Sequence, residues 1–452
     1  MKTIVKKNSI PYSMQTIAID PIISTIELRE ILENISDEYV LILDKRKEVT
    51  ILPDAIKRLL QIAEDSGVAW IYGDYVEELP DGTMEFHPTC DYLPGSFRDD
   101  FDFGGVVLAR TQLVRNALWI CPHYQYAAFY AARLIISADE RVFHLPEVLS
   151  RVSERPRTEG EEQFDYVDPR NRGVQLEMEL AFTAYLRMVG AFLPPRTRLV
   201  DIEAGDFANE VSVIIPVRNR VRTISDAVHS ALEQKLDKPF NVIVVDNHST
   251  DGTSEVLSRL AAEDPRLIII TPERQDLGIG GCWCRAVEHP ECGRYSVQLD
   301  SDDRYKSDQP LQKIVDCFRR ERCAMVVGSY ELTDFEGNPI PPGIIDHSEW
   351  TQNNGHNNAL RINGFGAPRA FFTPVIREVG VPNVSYGEDY AVGIRITRLY
   401  KMARIYESLY LCRRWEGNTD HRLSPRTIVE HNNYKDWLRT IALMARKKMN
   451  RS

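Results

Sequence analysis

The chain has 452 residues, of which 43% are hydrophobic and 27% charged, so it is long enough for two or more folded domains and is not broadly disordered. A net charge of −11 disfavours a protein that wraps nucleic acid, and we expect no nucleic-acid partner. The sequence contains neither a long apolar run typical of a membrane span nor the apolar core of a secretory signal. Its 8 scattered cysteines include no CxxC pair, which favours a cytoplasmic protein with reduced thiols and no structural zinc.

Taken in chain order, the predicted strands and turns of the first third of the sequence recur later. Four short matches keep the same order at a spacing of roughly 256 residues, which indicates a partial duplication. The matched segments are Tyr39–Arg46 with Tyr295–Asp302, Ile71–Tyr75 with Val327–Tyr330, Thr111–Arg115 with Thr373–Arg377, and Leu145–Leu149 with Ile405–Leu409. Coincidental strand and turn signals are the alternative explanation.

The repeat and the composition between its copies predict four segments. A smaller α/β domain occupies residues 1–155, and a charged, Pro-containing linker with a connecting helix occupies 156–209. A larger α/β domain occupies 210–422. Residues 423–452 form a helix that begins at the capping pair Ser424-Pro425 and carries Arg446, Lys447, Lys448 and Arg451, so we expect peripheral membrane contact there.

Strands and helices alternate from Val211 to Asp300. The predicted strands are rich in β-branched residues and nearly continuous in apolar character, which is typical of a buried parallel sheet with helices on both faces. They are Val211–Pro216, Val242–Asp246, Leu267–Ile270 and Ser296–Asp300. This is a Rossmann-like, nucleotide-binding α/β architecture.

Polar clusters follow three of these strands. They are Pro216-Val217-Arg218-Asn219, Asp246-Asn247 and Asp300-Ser301-Asp302-Asp303. Ligands of such sheets bind beyond the carboxyl ends of the strands, so three clusters at one edge favour a nucleotide crevice. Each cluster taken alone is equally typical of a helix cap or a turn.

Asp300 and Asp302 are the strongest single signal. In an extended chain, residues two apart face the same side, so both carboxylates can converge on one Mn²⁺ or Mg²⁺ ion that neutralises a diphosphate. The alternative is that these acids cap the following helix. A glycine-rich turn around Gly280 opens another helix, where backbone N–H groups suit a phosphate, although a tight turn explains it equally well.

Four ordered motifs carry a family resemblance. Val213-Ile-Ile-Pro-Val-Arg-Asn219, Val245-Asp-Asn-His-Ser-Thr-Asp-Gly-Thr253, Leu299-Asp-Ser-Asp-Asp303 and Gly387-Glu-Asp389 resemble the marks of inverting family 2 glycosyltransferases with the GT-A fold. The resemblance spans 211–420. It implies that Asp246 contacts the nucleotide base, that Asp300 and Asp302 bind the metal and the donor diphosphate, and that Asp389 or Glu388 is the catalytic base. The implied donor-binding residues are Pro216, Val217, Arg218, Asn219, Asp246, Asn247, Arg274, Gly280, Asp300, Ser301 and Arg414.

The chain departs from that family at several points. Gly280–Arg285 stands where an Ala-Arg-Asn segment is common, and Arg413-Arg414-Trp415 has Trp where many members have His. Arg414-Trp415 is similar to the Arg-Trp ending of a motif in processive relatives, but Leu411 occupies its Gln position. His421 is a candidate late metal ligand, with a lone surface histidine as the alternative.

The first copy lacks these acids. Lys45 and Arg46 follow Asp44 where acids follow Asp300, and Tyr124-Gln125-Tyr126 matches Glu388-Asp389-Tyr390. Because cations there repel a divalent metal, residues 1–155 are predicted to be a degenerate glycosyltransferase-like domain that binds neither donor nor metal.

The motifs together predict a metal-dependent inverting glycosyltransferase. It moves a sugar from a nucleotide diphosphate sugar to the hydroxyl of a glycan, lipid-linked or protein acceptor. A non-catalytic nucleotide- or glycan-binding scaffold is the first alternative, which the retention of Asp300, Asp302 and Asp389 disfavours. A nucleotidyltransferase is the second, and no Gly-rich phosphate loop with a following Lys stands near Pro216 to support it.

Overall fold

The computed structural model describes residues 14–139, 141–154, 172–195, 198–348, 351, 353–418 and 423–451. The chain divides into two compact units. Unit 1 takes Met1–Glu162, Gly173–Ala191 and Ser424–Leu443, and unit 2 takes Gln163–Arg172, Phe192–Leu423 and Met444–Ser452. The boundaries proposed from sequence at 155, 209 and 422 stay predictions, and residues 156–171 and 196–197 of the proposed linker lie outside the described residues.

Unit 1 is a mixed sheet with helices packed on it. Its strands are β1 Thr16–Ile19, β2 Tyr39–Asp44, β3 Lys47–Ile51, β4 Trp70–Glu78, β5 Met84–His87, β6 Val106–Arg110 and β7 Val142–Glu154. Its helices are α1 Thr25–Glu33, α2 Ala55–Ser66, α3 Thr111–Ile120, α4 Ala128–Asp139 and α5 Arg172–Met188. The strand order is β1-β2-β6-β4-β7-β3, with β5 paired to β4.

Unit 2 is a larger mixed sheet. Its strands are β8 Val211–Val217, β9 Phe240–Asp246, β10 Leu267–Ile270, β11 Tyr295–Gln298, β12 Arg304–Tyr305, β13 Met325–Thr333, β14 Pro339–Ile345, β15 Arg369–Phe372 and β16 Met402–Arg413. Its helices are α6 Ile224–Leu232, α7 Thr253–Glu263, α8 Ile279–Val287, α9 Pro310–Glu321, α10 Gly355–Asn358, α11 Thr373–Val379 and α12 Glu388–Leu399. The order is β10-β9-β8-β11-β15-β13-β16-β12, with β14 paired to β13.

The last helix, α13 Pro425–Arg451, contributes residues to both units. Ser424 caps it as predicted, because its Oγ accepts a hydrogen bond from the backbone N–H of Thr427 at 3.2 Å. No helix among the described residues is long and apolar enough to cross a membrane. All 8 cysteines are described, and each is a free thiol.

Apolar patterning explains how unit 2 is built. All 7 residues of β9 are buried, as expected for a strand covered by helices on both faces. Helix α9 buries Leu311, Ile314 and Phe318, whose spacing of three and four residues places them on one face of the helix. The parallel arrangement predicted for this region is confirmed for β10, β9, β8 and β11, and the remaining strands make the sheet mixed.

The two sheets share one strand plan. In unit 1, β1–β2 is parallel, β2–β6 and β6–β4 are antiparallel, β4–β7 is parallel and β7–β3 is antiparallel. In unit 2, the series β8, β11, β15, β13, β16 and β12 repeats these pairings in the same sequence. Unit 2 adds β9 and β10 beyond β8. The partial repeat indicated by the sequence is therefore present in the topology.

Candidate functional site

The ends of β8 and β9 lie side by side. Val217 is in register with Asp246, so the loops that follow these parallel strands meet. Asn219 has a left-handed backbone with φ 55°, and its Oδ1 accepts a hydrogen bond from the Thr250 N–H at 2.8 Å. Pro216 and Val217 belong to β8 itself, whereas Arg218 is exposed just after it. The structure thus brings the first two predicted clusters together.

Asp246 and Asn247 are buried at the end of β9. Asp246 Oδ1 accepts a hydrogen bond from the Ser249 N–H at 3.1 Å, and Oδ2 accepts one from the Ser254 hydroxyl. Asn247 Nδ2 donates to the Leu277 carbonyl at 2.8 Å. These bonds fix both side chains and tie the end of β9 to α7 and to the segment before α8.

Arg274 and Gly280 have local partners. Arg274 forms an exposed ion pair with Asp276 at 2.6 Å. The Gly280 N–H donates to the Val384 carbonyl at 2.9 Å, and a Cβ at this position would lie 1.9 Å from the Pro382 carbonyl oxygen. Close packing therefore explains this glycine, and its amide is engaged within the protein.

The acidic segment after β11 is a turn. The strand ends at Gln298, and the Asp303 N–H donates to the Asp300 carbonyl at 3.1 Å. The extended geometry invoked to place Asp300 and Asp302 on one side is therefore wrong. The two carboxylates are nevertheless close enough for the charge of Asp302 to act on Asp300. Ser301 is buried between them.

Asp300 is held by its neighbours while its side chain stays accessible to solvent. Gln298 Nε2 donates to Asp300 Oδ1 and to Oδ2, each at 2.9 Å. The Asp300 N–H donates to the Tyr410 hydroxyl at 2.9 Å. The orientation of this carboxylate is set by the buried amide of Gln298 rather than by the turn alone.

Asp302 faces a different set of donors. Its Oδ2 lies 3.2 Å from Asn418 Nδ2, 3.4 Å from Trp415 Nε1 and 3.6 Å from Arg220 Nε. Trp415 therefore reaches the acidic turn, a contact that the sequence did not predict. Arg414 lies beside the end of β13, where its N–H donates to the Thr333 carbonyl at 2.8 Å.

The two predicted bases have different surroundings. Gly387 adopts φ 76° and starts α12, which places Glu388 and Asp389 in its first turn as predicted. Asp389 Oδ2 pairs with Arg369 Nη1 at 3.0 Å. Glu388 is buried, and its Oε2 has no hydrogen-bond partner. Of the two carboxylates, Asp389 is the better placed to accept a proton from an acceptor.

Negative charge accumulates at this end of the sheet. Desolvation, followed by the charge of Asp389, raises the pKa of Glu388 to about 7. Surrounding protein atoms partly desolvate Asp300 although the residue is exposed, which raises its pKa, with Asp302 and Asp389 adding to the effect against Arg369 and Gln298. The pKa of Asp303 lies well above its ordinary value because of burial and the charges of Asp302 and Asp300. A cation binding here would relieve this repulsion.

The donor set fits a divalent ion that also binds the substrate. No group of three His, Cys, Asp or Glu side chains suited to a metal occurs among the described residues. Mg²⁺ and Mn²⁺ in nucleotide sites commonly use one or two carboxylates, with phosphate oxygens and water completing the shell. Asp300 and Asp302 match that pattern. The third predicted ligand, His421, lies outside the described residues.

Sequence reasoning missed Gln298, Arg369, Tyr410 and Asn418. Gln298 is a long polar side chain at the end of a strand that is buried throughout, two residues before Asp300, which was a usable signal. Arg369 comes from a strand 69 positions beyond Asp300, and Asn418 from a loop, so only the folded sheet brings them to the acids.

The comparisons with known proteins identify a family for part of unit 2. The model of the glycosyl transferase family 2 matches residues 212–375. Residues 212–375 form a family 2 glycosyltransferase domain. The matched segment includes Asp246, Asp300, Asp302 and Arg369 but ends before Glu388 and Asp389.

Curated relatives align over parts of their length. The chain is 35% identical over 130 residues to TuaG of Bacillus subtilis (strain 168), named as a teichuronic acid biosynthesis glycosyltransferase. That alignment covers 29% of this chain and 50% of TuaG, so the chain spans half the length of this relative. It is also 35% identical over 134 residues to the chondroitin synthase of Escherichia coli, covering 29% of this chain and 19% of that protein.

Among solved structures, the chain resembles the mannosyltransferase PcManGT from Pyrobaculum calidifontis in complex with GDP-Man and Mn²⁺. The TM-score is 0.38 at 18% identity, covering 62% of this chain and 84% of that chain.

Proposed function

We propose that the protein is a metal-dependent, inverting glycosyltransferase that uses a nucleotide diphosphate sugar. The observation that carries the proposal is the meeting of Asp300 and Asp302 with the Asp389–Arg369 pair at one end of the unit 2 sheet. A non-catalytic scaffold needs a binding surface but has no use for a proton-accepting carboxylate beside a metal-type pair.

The nucleotide would lie across the ends of β8 and β9, beside Asp246 and Asn247. Asp300 and Asp302 would hold the divalent ion, which supplies charge neutralisation for the leaving diphosphate when bound. Asp389 accepts the proton of the acceptor hydroxyl as that oxygen attacks the anomeric carbon, a step typically worth 10² to 10⁴ in rate. Attack opposite to the leaving diphosphate inverts the anomeric configuration. Arg369, whose Nη1 lies 3.0 Å from Asp389 Oδ2, would hold this carboxylate in place on the acceptor side.

The acceptor is a sugar or other hydroxyl in the assembly of a polysaccharide or glycoconjugate. The names of TuaG and of the chondroitin synthase support this class of acceptor, because both belong to polysaccharide-forming proteins. A free glycan, a lipid-linked glycan and a glycosylated protein all present such a hydroxyl. We propose a cytoplasmic location, where nucleotide sugars and reduced thiols coexist.

Unit 1 is proposed to be a degenerate glycosyltransferase-like domain. Its support is the shared strand plan combined with the pairing of Asp44 with Arg46, whose Nη2 lies 2.7 Å from Asp44 Oδ2. The guanidinium occupies the position where unit 2 would place an ion, so this domain would bind acceptor or support unit 2 rather than hold a donor.

Helix α13 is proposed to contact membranes peripherally. Trp437 and Ile441 are 55% and 59% exposed, and Lys448 and Arg451 are exposed near its end. Arg446 does not contribute, because it is buried and donates to Asn357 Oδ1 at 2.8 Å. Its burial lowers its pKa to about 9. Sedimentation with anionic vesicles should be weakened by Trp437→Ala, and equal binding of the variant would reject this contact.

The function is tested by incubating the full chain with UDP- and GDP-sugars, with and without Mn²⁺, and following nucleotide release in the presence of candidate glycan acceptors. Metal-dependent release that requires both a sugar donor and an acceptor supports the proposal. NMR of the product then reports the anomeric configuration. Nucleotide binding without transfer across the donors and acceptors would favour the scaffold alternative.

A further inference from the structure

A polar pair, Gln298 buried and Arg369 partly buried, crosses two strands next to the acidic turn. Strands β11 and β15 are antiparallel with Val297 opposite Ala370, which places Gln298 opposite Arg369. The Arg369 N–H donates to Gln298 Oε1 at 3.2 Å. Gln298 is 2% exposed, and the Arg369 side chain is 17% exposed. Burying such groups costs free energy unless their hydrogen bonds are used.

Each member of this pair holds one of the reactive carboxylates. Gln298 Nε2 donates to both oxygens of Asp300, and Arg369 Nη1 contacts Asp389 Oδ2 at 3.0 Å. Arg369 Nη1 also donates to the Gly366 carbonyl at 2.7 Å, which fixes the guanidinium. A continuous chain of contacts therefore runs from Asp300 through Gln298 and Arg369 to Asp389.

Unit 1 shows that the sheet itself does not need this pair. In the corresponding strands β2 and β6, Ile42 lies directly opposite Val107. Both residues are buried, and the pairing of β2 with β6 is antiparallel, as is that of β11 with β15. The same strand plan thus forms around an apolar pair in unit 1, where Asp44 is bound by Arg46 instead of by a side chain at the position of Gln298.

We propose that Gln298 and Arg369 are positioning residues that hold Asp300 and Asp389 at one fixed separation. The inference rests on the proposed function, since it assigns a donor-side role to Asp300 and an acceptor-side role to Asp389. Gln298 fixes the plane of the Asp300 carboxylate through both oxygens. Arg369 fixes the position of Asp389, and its backbone hydrogen bond to Gln298 links the positions of the two carboxylates.

The test replaces Gln298 and Arg369 of the full chain by the residue types that unit 1 has at the matching positions, Ile and Val. Gln298→Ile should weaken Mn²⁺-dependent binding of UDP or GDP by about 10- to 100-fold, the range typical when a partner of a metal ligand is lost. Arg369→Val should lower kcat by a similar factor, with the donor Kd within about twofold of wild type. Arg369→Lys should restore part of kcat because it returns a cation beside Asp389.

Binding is measured by calorimetry with and without Mn²⁺, transfer by steady-state kinetics, and folding by thermal unfolding. Gln298→Met and Arg369→Lys keep side-chain length and serve if an imported residue prevents folding. Arg319→Val is the matched control, because it removes an ion pair with Glu210 at 2.9 Å that no step of the reaction uses. We expect this control to leave Kd and kcat unchanged.

The outcomes separate the two proposals. Wild-type donor affinity and kcat in Gln298→Ile and Arg369→Val, in a chain whose wild type transfers sugar, overturn the positioning role alone. A loss of binding and turnover by the same factor in both variants and in Arg319→Val also overturns it, because that is general destabilisation. A wild-type chain that binds no nucleotide sugar overturns the proposed function and this inference with it.

Discussion

The carboxyl ends of β2 and β11 occupy matching places in two sheets of the same plan, yet their chemistry is opposite. In unit 2, Asp300 and Asp302 follow the strand, and their oxygens face amide, indole and guanidinium donors that leave a surplus of negative charge. In unit 1, Asp44 is the last residue of the strand, and the Arg46 guanidinium binds both of its oxygens, with Nε at 3.0 Å and Nη2 at 2.7 Å. We propose that the unit 2 end binds a cation, whereas in unit 1 the Arg46 guanidinium already lies against Asp44.

The same contrast extends to the helix that would carry the base. Helix α12 begins with Glu388-Asp389, whereas the corresponding α4 begins with Ala128-Phe129. The sequence comparison placed Tyr124–Tyr126 opposite the acidic pair, and the helix starts correct this alignment by four residues. Both alignments leave unit 1 without a base. The two units thus share their strand topology and differ in a few residues at the sheet edge, the acids that we propose bind the metal and accept the proton.

The largest expected effect comes from removing the Asp389 carboxylate, which unit 1 lacks at the start of its corresponding helix. Asp389→Asn should lower kcat by about 10² to 10⁴, because an amide cannot accept the acceptor proton, while donor affinity is retained. Steady-state transfer assays and calorimetry of donor binding separate the two effects. Glu388→Gln is the matched control, and its smaller effect follows from the burial of that carboxyl. Near-normal turnover of Asp389→Asn with loss in Glu388→Gln would assign the base to Glu388.

The pH dependence of stability sharpens the contrast in unit 2. Glu388, with a pKa raised from 4.5 to about 7, stays protonated in the folded chain where the unfolded chain has lost its proton. Stability should therefore fall as pH rises from about 4.5 to about 7, by about 3 kcal/mol, and stay lower above that range. Hydrogen-exchange protection of α12 follows this change. Glu388→Gln should flatten the profile, and an unchanged profile would contradict the assignment.

The stability of unit 1 should also depend on pH, through His144, with a smaller change that occurs at higher pH. Desolvation lowers the pKa of His144, but hydrogen bonds to Asp74 at 3.0 Å and Asp91 at 2.8 Å outweigh it and raise the pKa above 6.5. The stabilisation, at most about 2 kcal/mol, is fully present below pH 6.5 and is lost as pH rises through the raised value. Exchange protection of β7 in wild type and His144→Gln tests this. Equal profiles for the two chains would show that the imidazolium contributes nothing.

Much of this contrast was readable in the sequence, for physical reasons. Runs of β-branched apolar residues such as Val242–Val245 are typical of a strand that is buried on both faces. Gly387 before two acidic residues is typical of a helix start. Charge reversal between Asp302 and Arg46 needs no structure to interpret. These features depend on near neighbours in the chain.

The parts that failed depend on distant neighbours. The acidic segment was taken as extended, but the Asp303–Asp300 hydrogen bond makes it a turn, a preference that four polar residues in a row do not disclose. Arg369 reaches Asp389 because β15 lies between β11 and β13, which strand patterns alone do not determine. The role of Gly280 in close packing likewise depends on where the Pro382 carbonyl approaches it.

The most direct test of the central claim compares matched aspartates in the two sheets. Calorimetric titration of the full chain with a nucleotide diphosphate sugar and Mn²⁺ should give one site per chain. Asp302→Asn should weaken this metal-dependent binding by roughly 10- to 100-fold, as expected for loss of a charged ligand worth a few kcal/mol. Asp44→Asn in unit 1 should leave affinity and stoichiometry unchanged. Two sites per wild-type chain, or binding that survives Asp302→Asn and is lost in Asp44→Asn, would contradict the account.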